Sequence, residues 1–208
     1  MSLILFHSPD SRSSRLIWLL EELGEDYELH YTNIRRRSGV GDVDPSNPHP
    51  DKRVPALVHG EELVTETAAI ALYLTDAVPK STVGVRIGDP LRGSYLTWLA
   101  FYAGEIEPAF AAKIAESAVA DGRAEEAVKR VTRRVTAALE RGPHLLGDRF
   151  TAADILVSGP FEWFSKLMPP NPVVDSWIKG LLVRDAAQRW LQKDDRPNQL
   201  EAVRAPSE

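Results

Sequence analysis

The chain has 208 residues, a mass of 23.1 kDa, a formal net charge of -5 and a pI near 5.6. Hydrophobic residues make up 43% of it, enough for one large core or two small ones, and the acidic balance leaves no electrostatic footprint for a nucleic-acid backbone. There is no cysteine, which excludes disulfides, thiolate metal sites and a protein thiol nucleophile, so any sulfur chemistry needs a sulfur brought by a ligand.

No apolar run approaches the roughly 20 residues that cross a bilayer. The opening "MSLILFHSPD" lacks the basic and long apolar regions of a signal peptide, so cytoplasmic residence without membrane contact is the expectation. In chain order, Leu3–Phe6 reads as a buried strand. Leu16, Leu19, Leu20 and Leu23 follow the i, i+3, i+4, i+7 pattern of a helix that Gly24 closes. Tyr27–Thr32 alternates as a second strand, and Arg35–Arg53 reads as loop with at most a short helix. Pro55–Val58 and Glu61–Thr65 flank a hairpin turn at His59-Gly60, and a helix carrying Ile70, Tyr73, Leu74 and Ala77 stops before Pro79. This β-α-β then β-β-α order is a small α/β layer.

Past Gly88 the strand signal vanishes. Leu91, Tyr95, Trp98, Leu99, Tyr102 and Ile106 mark a long helix, and Val128, Val131, Val135 and Ala138 mark another. "TAAD" starts a late helix sharply, with Thr151 as cap and Asp154 three residues on. Val174, Trp177, Ile178, Leu181 and Leu182 trace a further helix, Trp190-Leu191 ends the last, and Asp194–Glu208 is a polar, mobile tail.

Four motifs sharpen this order: "SPDSRSSR" before the first helix, "VPAL" at the third strand, "TETAAIALYL" at the helix after the hairpin, and "GDRFTAADI" late in the chain. Together they resemble cytosolic glutathione transferases, in a bacterial, serine-type, theta-related pattern, across essentially the whole chain. The resemblance implies α/β plus all-α architecture: a thioredoxin-like, glutathione-binding domain over 1–78, a linker over 79–88 and an all-helical domain over 89–208. It also implies a homodimer, glutathione as co-substrate, a small electrophile as second substrate and no metal. The alternative is a binding protein that keeps the fold without catalysis.

The same resemblance assigns site residues. Val54 and Pro55 would form the cis bond beside which the cysteinyl backbone of glutathione pairs. Glu66 would balance its ammonium. Thr67, opening a helix, would meet the γ-glutamyl carboxylate, since helix N-termini favour anions. The local reading that Thr65 merely caps this helix stays open. For the glycine carboxylate the chain offers Arg35, Arg36, Arg37, His49, Lys52 and Arg53, of which Arg53 and Lys52 stand beside the Val-Pro.

A free thiol has a pKa of about 8.5, so a hydroxyl donor and a helix N-terminus activate it by favouring the thiolate. Ser11 falls where serine-type relatives place their serine, with Ser13 second and simple helix capping as the alternative for both. Arg12 stands where cysteine-type enzymes carry cysteine, and Phe6 and His7 where an early tyrosine would be needed. Arg12 and Arg15 would add positive potential near the sulfur. Pro9, Asp10 and Tyr102 would border the electrophile. Tyr95, Trp98, Glu105 and Phe110 share the helical spacing of Tyr102, which also fits plain core. Asp154 is expected to be a structural cap.

Overall fold

The computed structural model describes residues 2–36, 39–78, 80–116 and 122–194. Arg37, Pro79 and the tail from residue 195 onward lie outside the described residues. Contacts divide the chain into two compact units, one of residues up to Leu74 together with those from Asp185 onward, the other Thr75–Arg184.

The first unit is a four-stranded mixed sheet in the order β2-β1-β3-β4, with β1 Leu3–His7, β2 Glu28–Tyr31, β3 Ala56–His59 and β4 Glu62–Thr65. β1 runs parallel to β2 and antiparallel to β3, and β3 pairs antiparallel with β4. This is a thioredoxin-like sheet. β3 begins one residue later than its sequence signal, at Ala56, because Pro55 has no N–H to give a ladder. α1, Ser14–Leu23, buries Leu16, Ile17, Trp18, Leu19 and Leu20 completely. Each such side chain contributes about 1.5–3 kcal/mol on leaving water. Gly24 ends the helix with φ 67°, its N–H donating to the Leu20 carbonyl at 3.1 Å. α2 is Thr67–Ala77.

α8, Asp185–Asp194, packs along α1 in this first unit, whereas the sequence division put everything beyond residue 88 in the helical domain. The contact is aromatic and charged. Trp190 stacks on Trp18 with ring centroids 5.2 Å apart, and the Arg15 guanidinium lies 4.6 Å from the Trp190 ring. Arg189 and Lys193 pair with Glu21, and the Tyr31 hydroxyl donates to the Lys193 carbonyl at 2.8 Å. α8 runs on three residues beyond Leu191, since Lys193 and Asp194 find partners on α1 and β2.

The second unit is helical. α3 is Arg92–Phe101, α4 Glu107–Ala115, α5 Arg123–Leu139, α6 Ala152–Trp163 and α7 Pro172–Leu182. Between α3 and α4 the chain makes a π-helical turn, Tyr102–Ile106, with the Glu107 N–H reaching back to the Tyr102 carbonyl. Pro108 explains it: lacking an N–H and crowding the carbonyl four residues back, it forces the wider turn. The expected long helix is therefore re-phased at its end. Val128, Val131, Val135 and Ala138 of α5 are buried, as are Val174, Trp177, Ile178 and Leu181 of α7. No helix among the described residues is long and apolar enough to cross a membrane.

Candidate active site

The alternation of β1 sends Leu3, Leu5 and His7 to the buried face of the sheet. The loop after it, Ser8 to Ser13, then folds its hydroxyls together beneath the start of α1. Ser13 occupies the cap position, but its side chain makes no capping hydrogen bond. Its Oγ lies instead 2.8 Å from His7 Nδ1 and accepts from the Ser8 N–H at 3.2 Å. Ser11 Oγ donates to the Ser8 carbonyl at 2.6 Å and lies 2.6 Å from Ser13 Oγ. The Ser13 hydroxyl is thus not spent on capping, while Ser11 Oγ also accepts from the Ser13 N–H at 3.3 Å. Ser13 is 0% exposed, while Ser11 is partly open to solvent.

Around this cluster, Ser14 Oγ donates to Asp194 Oδ1 at 2.7 Å, and His7 Nε2 lies 3.3 Å from the same oxygen without hydrogen-bond alignment. Burial, and then the Arg36 charge, push the His7 pKa down to about 3, so the imidazole is neutral. Burial also raises the Asp194 carboxyl, with Asp10 adding to the rise and Ser14 and Arg15 opposing it. Arg36, one of the cations offered for the glycine carboxylate, donates to the carbonyls of Pro9 at 2.7 Å and Asp10 at 3.2 Å and so pins the loop. Arg12 is exposed. Arg15 is 1% exposed and faces the tryptophans of α1 and α8.

The Val54-Pro55 peptide bond is cis, and Val54 stands two residues ahead of the β3 ladder. Three described non-glycine residues have positive φ: Asp10 at 52°, Lys52 at 54° and Glu66 at 67°. Such backbone costs on the order of 1 kcal/mol or more, and it gathers at functional sites. All three belong to the segments marked from the sequence.

Glu66 turns the chain from β4 into α2 and its carbonyl accepts the Ile70 N–H at 2.9 Å, so it, and not Thr65, is the cap residue. The Glu66 side chain is exposed and Thr67, first in the helix, is buried. The Lys52 ammonium donates to the carbonyls of Asn47 at 2.6 Å and Pro45 at 3.2 Å, while Arg53 is exposed.

Tyr102 belongs to the second unit, where it is 2% exposed and its hydroxyl donates to Glu107 at 2.8 Å. Tyr95, Trp98 and Phe110 are core there, as their spacing also allowed, and Glu105 pairs with Arg130. Asp154 is the cap expected: it accepts from the N–H groups of Thr151 and Leu145, each at 2.9 Å.

Comparisons with known proteins identify the family and the fold. The N-terminal domain of glutathione S-transferase matches residues 1–76, and the C-terminal domain of the same proteins matches residues 100–176. The chain belongs to the glutathione S-transferase family. Among its relatives, glutathione S-transferase GstA of Escherichia coli O157:H7 is 27% identical over 164 residues, 76% of this chain and 81% of that protein. A glutathione transferase from Methylococcus capsulatus is 27% identical with a TM-score of 0.79, covering 92% of this chain and 98% of that one. A sphingomonad glutathione S-transferase, solved in complex with glutathione, is 27% identical with a TM-score of 0.78 over the same shares.

His7, Ser14 and Asp194 are the members that sequence reasoning missed, and it gave Arg36 a different task. A polar residue at an inward position of β1 was the one available signal for His7. Asp194 offered none.

Proposed function

We propose that this chain is a catalytic glutathione transferase that joins the thiolate of glutathione to small hydrophobic electrophiles. The thiol gives up its proton, a carbon–sulfur bond forms, and the electrophile's leaving group departs or its double bond takes up a proton. Ser11 donates a hydrogen bond to the sulfur, and the N-terminal end of α1 adds the positive field of its helix dipole. Val54 pairs with the cysteinyl backbone ahead of Pro55. Glu66 balances the ammonium, Thr67 and the first turn of α2 hold the γ-glutamyl carboxylate, and Arg53 with Lys52 serve the glycine carboxylate. Pro9 and Asp10 lie on the electrophile's side of the sulfur.

The observation that carries this reading is the serine cluster: hydroxyls gathered at a helix mouth, that of Ser13 not used as a cap, with Ser11 the partly open member. Titration calorimetry with glutathione, together with turnover of chlorodinitrobenzene, tests it. We expect saturable binding and a glutathione-dependent rate. Absence of binding ends the proposal, and binding without turnover of this or other aryl and alkyl electrophiles leaves a binding protein.

A further inference from the structure

The serine cluster contains fewer protons than contacts, and this fixes their direction. Ser11 Oγ is 2.6 Å from the Ser8 carbonyl, which can only accept, so the single Ser11 proton sits there. Ser11 Oγ and Ser13 Oγ are also 2.6 Å apart, and that contact then needs the Ser13 proton. The 2.8 Å contact between Ser13 Oγ and His7 Nδ1 is left with no hydroxyl proton, so the imidazole must supply one. The reverse assignment, in which Ser13 donates to His7 and Ser11 to Ser13, leaves the Ser11 and Ser8 oxygens 2.6 Å apart with no proton between them. That contact is repulsive.

We infer that His7 is a positioning residue: its Nδ1–H donates to Ser13, Ser13 to Ser11, and Ser11 to the thiolate, a one-way chain of donors aimed at the sulfur. The inference rests on the proposed glutathione chemistry for its last link only. When the tripeptide binds, the Ser11 Oγ swings off the Ser8 carbonyl as its proton turns to the sulfur, which relieves that 2.6 Å contact, and the donors behind it keep their direction. Each oxygen that accepts a hydrogen bond becomes a stronger donor at its own proton, so His7 strengthens the Ser11 bond from two links away. With Nδ1 protonated and the ring neutral, Nε2 is a bare acceptor. It has no hydrogen-bond partner and faces Asp194 at 3.3 Å. A protonated Asp194 carboxyl suits that nitrogen. An ionised one draws the proton to Nε2 and reverses the chain.

The shifts run toward the uncharged form of each group, His7 lowered and Asp194 raised, each by burial first. The other groups facing the pair are Arg36 from the β2–β3 segment, Asp10 from the loop, Ser14 and Arg15 from α1, and the edge of Tyr31 from β2 at 5.4 Å. α8 thus reaches the sulfur site through its last residue.

Two measurements test this. Nitrogen-15 NMR of the imidazoles in the ligand-free protein, with His7 assigned by its loss in His7→Asn, reads the tautomer directly. A neutral Nδ1–H ring is expected, and a neutral Nε2–H ring overturns the inference whether or not glutathione binds. The second is the ultraviolet absorbance of bound thiolate against pH. We expect His7→Phe to raise the apparent thiol pKa by about one unit, a tenfold lower thiolate fraction below it, with glutathione affinity within about twofold. His7→Asn, whose amide can donate where Nδ1 does, restores most of the shift. Asp194→Asn, a neutral side chain able to donate to Nε2, leaves the titration at or below its original position. A purely structural His7 moves the melting temperature and not this curve. An unmoved His7→Phe curve, or an Asp194→Asn rise as large as that of His7→Phe, refutes the chain. If wild-type protein binds no glutathione, the proposed function fails while the tautomer measurement still stands.

Discussion

Replacing Asp154 by alanine gives the sharpest stability test, because every contact of that side chain is internal to one unit. The carboxylate is 0% exposed and accepts from the Leu145 N–H at 2.9 Å, the Thr151 N–H at 2.9 Å and the Thr151 hydroxyl at 3.2 Å. Alanine leaves the two backbone donors without this acceptor. Each orphaned buried group costs about 1–3 kcal/mol. Burial of the carboxyl raises its pKa, which marks a desolvation penalty that the alanine variant no longer carries and that offsets part of the loss. The net expectation is about 2–4 kcal/mol of destabilisation. For a chain of this size that lowers Tm by roughly 5–15 °C. Thermal denaturation followed by circular dichroism reads it, with Asp154→Asn as control. The amide keeps one accepting oxygen but turns an NH2 toward the other donor, so an intermediate loss is expected. A fall of less than about 2 °C in the alanine variant would refute the account.

Four further outcomes follow from the site and from the docking of α8. Ser11→Ala should lose at least about tenfold in kcat with glutathione affinity nearly kept, and an unchanged rate moves the sulfur partner to Ser13 or to the helix end alone. Glu66→Ala should weaken glutathione binding about tenfold by calorimetry, and an unchanged Kd removes it from the site. His7 has a folded pKa of about 3 against an unfolded value near 6.5, so its contribution to stability is present above 6.5 and is lost as pH falls toward 3. Denaturant titrations across that window should show wild type losing up to about 1.4 kcal/mol more per pH unit than His7→Asn, and parallel profiles count against the buried neutral ring. Trp190→Ala removes the stack on Trp18 and the seat of Arg15, so hydrogen exchange should show α8 losing protection while α5 and α7 keep theirs. Retained protection in α8 would mean that its polar contacts with Glu21, Ser14 and Tyr31 hold it without the stack.

Much was legible in the residues themselves. The leucine spacing of α1, Gly24 at its end, the Thr151–Asp154 box, and Val54-Pro55 ahead of β3 are signals written within a few residues of one another. They report local backbone geometry and one-sided burial, which depend on neighbours in sequence. The re-phasing of α3 into α4 had its signal too, in Pro108. The order of motifs was enough to bring the family into view.

What only the tertiary structure decided is where distant polar groups meet. Nothing local in "QRWLQKD" says that Asp194 ends against Ser14, 180 positions earlier, because that meeting follows from tryptophan stacking and paired charges between α8 and α1. Likewise "PDSRSS" offers three hydroxyls that only the family resemblance ranks, Ser11 before Ser13. Their surroundings separate only once the inward face of β1 sets His7 against Ser13, which is buried, and leaves Ser11 partly open to solvent.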